Sequence, residues 1–429
     1  MIILYRILFP VLALLLSPYY LRRMLRRGGY QKKMGYRLGN WPSLGEKEKG
    51  KKRIWIQAVS VGEVSSISKL LQLLFEDEQF EIILSGTTST GLETAGEKYG
   101  KRLKAHGPFP LDWFPFSQKA WDKIEPDLVV MVDSELWPEH FQQAQKRDIP
   151  IIIINARLSD RSFARLGKLK WLHPLLLPNN LQVITASERQ AKRWGTLGLE
   201  ENRTFISGNL KIDAVALSQA GTRERENWIK EFGFEKESIV IAGISTWPGE
   251  EKLLIEITQG LRLENLDVRL LLVPRHAERR NEIIKILQSC NLPNHVRSQG
   301  HSAPLDNIVY LGDTTGELSQ LIKVADLGFM GKTLPPNRGG QNPIEPIALQ
   351  IPLVVGPHFQ NFHETCSDMF LHGAALGCNT KSDIVKEIRQ LVQNPKKRTE
   401  VKNNAHKWML SQGSPSVFTF DTITQALES

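Results

Sequence analysis

The sequence predicts an α/β protein built from two parallel-sheet domains, and three observations carry that prediction. At 429 residues the chain exceeds the size at which a single hydrophobic core keeps growing. Short runs of Val, Ile and Leu alternate with longer amphipathic stretches, which is the pattern of βαβ units. The alternation also occurs as two series, separated by a charged helical stretch at residues 222–237.

In the first series, residues 54–59, 80–84, 128–132, 149–154 and 183–186 read as buried strands, each followed by turn residues and then a helical stretch. The second series runs through 238–242, 268–273, 307–311, 327–330 and 352–355. Unbroken Val/Ile/Leu character in these runs fits sheets covered on both faces. The boundary between the domains is expected around residues 212–222.

Composition excludes several classes of protein. With 41% hydrophobic and 24% charged residues the chain is not disordered. The three cysteines, Cys290, Cys366 and Cys378, are odd in number, irregularly spaced and contain no CxxC pair. That argues against a disulfide framework or a thiolate metal site, fits a reducing compartment, and predicts three buried structural thiols. The net charge of +9 invites a nucleic-acid reading, but its distribution does not. Residues 1–53 hold 13 Lys/Arg against 2 Asp/Glu, which leaves the remainder at −2. A domain that tracked phosphates would spread its charge over a folded face.

The basic flank follows an apolar run over residues 2–16, interrupted by Arg6 and Pro10 and followed by Tyr19 and Tyr20. The arginines come after the apolar run and no small-residue cleavage site follows, the reverse of a signal peptide. The positive-inside rule then puts Arg22, Arg23, Arg26, Arg27, Lys32, Lys33 and Arg37, and the chain after them, on the cytoplasmic side of a membrane. The run either spans the bilayer or inserts shallowly among anionic headgroups. A buried first helix with a solvated basic end is the alternative.

In open α/β sheets ligands bind beyond the carboxyl ends of the strands, so the residues just after each strand are the candidates. After the first strand come Ser60, Val61, Gly62 and Glu63. Glu63 is either a helix-dipole carboxylate or a group aimed at a ligand that Gly62 lets approach. The second strand runs into a hydroxyl- and glycine-rich loop containing Thr87, suited to a polar ligand or to helix capping. The third meets Asp133, Ser134, Glu135, Leu136 and Trp137, a denser cluster than capping requires. The fourth meets Asn155, Ala156 and Arg157. Arg157 is a candidate for an anionic substrate group or for an ion pair with Glu135.

In the second series the first strand closes on Ser245 and Thr246. The next ends in Arg275 and His276, a guanidinium fork and an imidazole that suit a phosphate. A turn with Gly316 and Glu317 opens a helix whose N–H groups favour an anion, yet it lacks the lysine of a P-loop. No GxGxxG fingerprint is present, which weighs against a nicotinamide or flavin enzyme. Finally Gly339 and Gly340 permit an unusual loop, Asn342 with Pro343 starts a helix, and Glu345 offers a carboxylate suited to a ribose diol.

Six of these stretches, in order, are SVGEV (60–64), SELWP (134–138), NARLSDRS (155–162), PRHAER (274–279), GDTTGEL (312–318) and GGQNPIEP (339–346). Together they resemble the family of 3-deoxy-D-manno-octulosonic acid (Kdo) transferases of lipid A assembly, over nearly the whole chain. The resemblance implies a GT-B fold, two Rossmann-like domains facing a cleft, behind an N-terminal membrane-anchor helix. Its expected division is an anchor at 1–22, an acceptor domain at 23–215 and a CMP-Kdo-binding domain at 216–429, whose last helix is a candidate to pack back on the first domain.

The implied reaction is inverting transfer of Kdo from CMP-Kdo to a lipid A precursor, with release of CMP, at the cytoplasmic face of the inner membrane. Glu63 would be the general base and Glu135 a supporting carboxylate. Ser245, Arg275, His276, Gly316, Glu317, Asn342 and Glu345 would hold the donor, and Ser60, Gly62, Thr87 and Arg157 would face the acceptor. No metal or other cofactor is expected, and the partners are CMP-Kdo, the lipid precursor and anionic membrane lipids, without nucleic acid. The chain departs from the family pattern at Gln341 (usually His), Thr315 (usually Met), Thr246-Trp247-Pro248 (usually a His-containing loop) and Lys332 (commonly a small residue). The rival readings are a UDP-sugar transferase of the same architecture and a membrane-anchored binding module without catalysis.

Overall fold

The computed structural model describes residues 1–26, 33–214 and 222–428. Residues 27–32 of the basic run and 215–221 of the expected domain boundary lie outside the described residues. The chain forms two compact units, Met1–Ala214 with Ser414–Ser429, and Val215–Gly413.

The first unit holds a sheet of β1 (Lys52–Gln57), β2 (Phe80–Gly86), β3 (Ala105–Pro108), β4 (Leu128–Val132), β5 (Ile151–Ala156), β6 (Leu181–Thr185) and β7 (Thr204–Ile206), in the order β3-β2-β1-β4-β5-β6-β7. Every neighbouring pair is parallel. Alternate side chains of the apolar runs go to opposite faces, and both faces are covered. Trp55, Ile83, Val129, Met131, Ile151 and Ile153 join one core, with Trp41, Phe109 and Trp121. Ile54, Ile56, Ile82, Leu84, Val130 and Ile152 join the other. The final helix, Pro415–Glu428, belongs to this second core through Ile423 and Phe420, whose ring meets Phe80 edge-on at 6.2 Å.

The second unit holds β8 (Ile239–Thr246), β9 (Val268–Pro274), β10 (Asn294–Val296), β11 (Val309–Leu311), β12 (Leu327–Met330), β13 (Leu353–Val355) and β14 (Leu376–Gly377). Its order is β10-β11-β9-β8-β12-β13-β14, again all parallel. In both sheets the chain first builds outward on one side of its first strand and then returns to build on the other. The order reverses between β1 and β4 in one sheet and between β8 and β12 in the other, and such reversal points are where open α/β sheets bind ligands.

Several boundaries differ from the sequence reading. β1 starts at Lys52 because Arg53, read as part of the basic flank, is wholly buried and paired with Glu81 at 2.9 Å. β5 starts at Ile151, since Pro150 carries no N–H for the ladder. The stretch read as one helix after Glu63 is two, Val61–Ser66 and Ser68–Glu76, joined at Ile67. Cys366 and Cys378 are buried, whereas Cys290 is half-exposed, and none is disulfide-bonded.

The first helix, Ile2–Arg26, contains Pro10 and Pro18, and among the described residues no helix is long and apolar enough to cross a membrane. The helix is held to the first unit at its start. Tyr5 donates its hydroxyl to the buried Asp112 at 2.6 Å, and Arg6 forms two hydrogen bonds to the buried Glu139, at 2.7 and 2.9 Å. Trp113 donates its indole N–H to the Arg6 carbonyl at 3.0 Å. On its other side Ile3, Leu4, Ile7, Leu8, Val11, Leu12, Leu14 and Leu15 are exposed. The helix is therefore neither a buried core element nor a free tail.

Candidate active site

In the first unit the chain leaves β1 through Ser60, whose extended backbone opens the helix Val61–Ser66 without a side-chain cap. Glu63, in the first turn, folds back instead: Oε2 accepts the Val59 N–H at 2.5 Å and Oε1 accepts the Ser60 hydroxyl at 3.2 Å. The carboxylate is half-buried at the reversal point of the sheet. Burial pushes it up to about 7, and the neighbouring Asp133 and Glu135 push the same way, against the Val59 N–H and the Ser60 hydroxyl. Gly91 lets the next helix, Ser89–Tyr99, lie against this turn, since a Cβ there would stand 3.1 Å from the Ser60 carbonyl carbon. A Cβ at Gly62 would meet nothing closer than the Ser60 hydroxyl at 3.8 Å, so the turn itself places no demand for glycine there.

Across the reversal, β4 ends in Asp133, held at a positive φ of 61°. Its carboxylate accepts from the amide of the wholly buried Asn155 at 2.6 Å and stands 3.8 Å from the Arg157 guanidinium. The ion pair of Arg157 is thus with Asp133, not with Glu135. Glu135 accepts from the Trp137 indole N–H at 2.8 Å, and burial followed by the Asp133 charge pushes it up to about 7. Thr87 is half-buried and its hydroxyl accepts from the Gln57 amide at 3.2 Å, while Thr88 caps the following helix. Lys211, which sequence reasoning missed, opens the helix Lys211–Ala214 just beyond β7, a strand too short to register as an apolar run. Its ammonium is lowered by burial and by Arg157, and drawn the other way by Asp133 and Glu63. The first unit therefore gathers three carboxylates and two cations at its strand ends.

Glu63 at about 7 has a consequence for pH. A base must be deprotonated, so activity that depends on it rises with pH through about 7 and falls on the acid side. Replacing Asp133 by Asn removes one of the charges that raise Glu63, so the acid limb of kcat/KM moves to lower pH. A kcat/KM profile of both proteins checks this, and an unmoved limb rejects the coupling.

In the second unit β8 ends at Ser245, at φ 54°, and Thr246. A Cβ at Gly331, just past β12, would lie 2.1 Å from the Ser245 carbonyl, so the two strand ends touch backbone to backbone. Arg275 is exposed at the end of β9, with its backbone N–H on the Thr246 carbonyl at 3.1 Å. His276 stands edge-on to the Trp247 indole at 5.2 Å, with Glu278 at 3.5 Å from Nδ1. Gly316 takes a positive φ of 87° with open space around it. The carboxylate of Glu317 is already engaged: Arg297 grips it at 2.8 and 3.0 Å and holds it down at about 2.

Gly339 and Gly340 take φ of 114° and 74°, and a Cβ at Gly339 would strike Asn361 at 2.5 Å, so this loop requires glycine. The helix beyond it begins at Ile344 with Pro343 as its cap residue, one position later than the sequence suggests. The Asn342 side chain still accepts the Ile344 N–H at 3.2 Å, and Glu345 accepts from the Ser319 hydroxyl. Glu250, in the first turn of the helix Glu250–Leu263, has a role that no motif signals. That carboxylate is wholly buried and accepts the backbone N–H groups of Trp247, Lys332, Thr333 and Leu334 at 2.8, 2.9, 2.9 and 3.1 Å.

The family model described as 3-Deoxy-D-manno-octulosonic-acid transferase (kdotransferase) matches residues 32–214. The chain is 32% identical to the 3-deoxy-D-manno-octulosonic acid transferase of Haemophilus influenzae, over 82% of this chain and 82% of that protein. It is 29% identical to the enzyme of that name from Bordetella pertussis, over 86% of each. Among solved structures, a glycosyltransferase from Rickettsia africae superimposes with a TM-score of 0.58 at 11% identity, covering 88% of this chain and 98% of that one, a likeness of fold. With both sheets wound alike and their strand ends furnished as described, the chain belongs to the 3-deoxy-D-manno-octulosonic acid transferase family.

Proposed function

We propose that this protein transfers Kdo from CMP-Kdo to a lipid A precursor with inversion at the anomeric carbon, and that Glu63 is the general base. The observation that carries the chemistry is the Glu63 carboxylate, raised to about 7 at the reversal point of the first sheet. A base titrating near the working pH combines a useful deprotonated fraction with real proton affinity. The acceptor hydroxyl gives its proton to Glu63 as its oxygen bonds to the anomeric carbon. The bond from that carbon to the CMP phosphate oxygen breaks from the opposite face. The departing phosphate gains negative charge, which Arg275 and His276 offset; the exposure of Arg275 at the end of β9 supports this role.

Glu135 supports the site by holding Glu63 high, and Arg157 with Lys211 faces the anionic groups of the substrates. Ser245, Gly316, Asn342 and Glu345 form the rest of the donor site, with Glu317 as its brace through Arg297. Ser60, Gly62 and Thr87 frame the acceptor side. The reaction runs without a metal, so chelation with EDTA leaves the rate unchanged.

In this reading the enzyme works at the cytoplasmic face of the inner membrane, with the first helix as its anchor. What supports this is its exposed apolar face from Ile3 to Leu15 and the basic run after it, whose cations suit anionic headgroups. The direct test incubates the purified full chain with tetraacylated lipid A precursor and either CMP-Kdo or a UDP-sugar, and weighs the products by mass spectrometry. Addition of Kdo from CMP-Kdo alone supports the reading; transfer only from the UDP-sugar, or no transfer, rejects it.

A further inference from the structure

We propose that Lys332, seated on the indole of Trp247, holds the anionic part of the sugar nucleotide. The inference rests on the donor reading above and adds two residues to it.

Trp247 follows β8 directly and Lys332 lies two residues past β12, so the two come from strands that are neighbours across the reversal of the second sheet. One carboxylate oxygen clips them together: Glu250 Oε2 accepts the Trp247 N–H at 2.8 Å and the Lys332 N–H at 2.9 Å. Lys332 takes a positive φ of 63°, and its carbonyl accepts the Gly340 N–H at 3.0 Å, which ties it to the glycine loop that leads to Asn342. From this fixed backbone its ammonium reaches over the indole, 4.6 Å from the ring centroid, while His276 meets the same ring edge-on.

The side chain is half-buried and forms no ion pair among the described residues. An aromatic face replaces only part of the hydration such a cation loses. The ammonium is thus a rigidly mounted positive charge with unspent donors, at the strand ends where the donor is read to bind. A lysine is a compact point charge that serves phosphate and carboxylate alike. CMP-Kdo carries both groups, and comparison of CMP with CMP-Kdo tells them apart.

The test measures binding of cytidine, CMP and CMP-Kdo to the full chain by calorimetry, for wild type, Lys332→Gly, Lys332→Arg and Trp247→Leu. Glycine suits the positive φ and keeps the N–H that Glu250 accepts, so the fold is preserved, which a thermal melt verifies. Lys332→Gly is expected to weaken CMP-Kdo by about tenfold or more with cytidine unaffected, while Lys332→Arg stays close to wild type. Trp247→Leu is expected to give a smaller loss, because the ammonium keeps its charge but loses its seat. An equal loss for CMP assigns the phosphate; a loss confined to CMP-Kdo assigns the carboxylate. If Lys332→Gly binds CMP-Kdo like wild type, the inference fails while the donor reading stands. If wild type binds neither CMP nor CMP-Kdo, the donor reading fails and takes the inference with it.

Discussion

Glu63→Gln lowers the turnover of Kdo transfer by about 10²–10⁴-fold, the usual contribution of a positioned general base, while CMP-Kdo binds as before. The split between the two readouts follows from where the residue sits. Glu63 belongs to the first unit and, among the described residues, the hydrogen bonds of its carboxylate run to Val59 and Ser60, whereas the residues read as donor-binding belong to the second. Glutamine keeps an oxygen for the Val59 N–H, so the turn is retained and loss of the proton acceptor is what the assay reads. Glu135→Gln is the comparison. It removes a charge that raises Glu63 but no proton acceptor, so its turnover falls less and its acid limb shifts to lower pH. If Glu63→Gln keeps more than about a tenth of wild-type turnover, Glu63 is not the base. If it loses CMP-Kdo binding as well, the carboxylate has been assigned to the wrong substrate.

The parts of this molecule that were legible in the sequence share a physical cause, and so do the parts that were not. All ten strands read from the sequence are present. The four that were missed, β3, β7, β10 and β14, are the edges of the two sheets. An inner strand is packed on both faces and between two neighbours, which demands an unbroken apolar run such as Ile151–Ile154. An edge strand such as Asn294–Val296 or Leu376–Gly377 has one neighbour and two or three residues, and leaves no such run.

The candidate site divides in the same way. That Glu63, Asp133, Glu135, Arg275 and His276 follow strands could be read from order alone, since the strand before each was an inner one. What each carboxylate touches could not. Glu317 is committed to Arg297, which lies 20 residues earlier in a segment with no motif of its own. Arg157 found Asp133 in place of Glu135 because Asn155, at φ 52°, turns the chain toward Asp133. Lys211 went unseen because the strand that delivers it is an edge. Partner choice depends on tertiary geometry, and periodicity carries no information about it.

Glu250 is the strongest instance, and the second large effect follows from it. Two glutamates at a helix start are adequately explained by the helix dipole, yet Glu250 spends its oxygens on four backbone N–H groups from two separate segments. Burial pushes the carboxyl up to about 7 while those four donors oppose the shift. Glu250→Ala leaves four donors without their acceptor, and at about 1–3 kcal/mol for each buried group, less what water recovers, the loss is about 4 kcal/mol or more. For a unit of this size that corresponds to a fall in Tm of about 10 °C. The loop carrying Lys332, Thr333 and Leu334 also loses its tether to Trp247, so CMP-Kdo binding falls with it. Glu250→Gln separates acceptor from bulk. The amide fills the same volume, but its nitrogen would face N–H groups and only one oxygen would remain, so it should destabilise nearly as much as alanine. Thermal melts followed at the second unit, together with calorimetry for CMP-Kdo, read both effects. A glutamine variant as stable as wild type would show that the side chain acts by filling space, and that the donor loop is held by something other than this carboxylate.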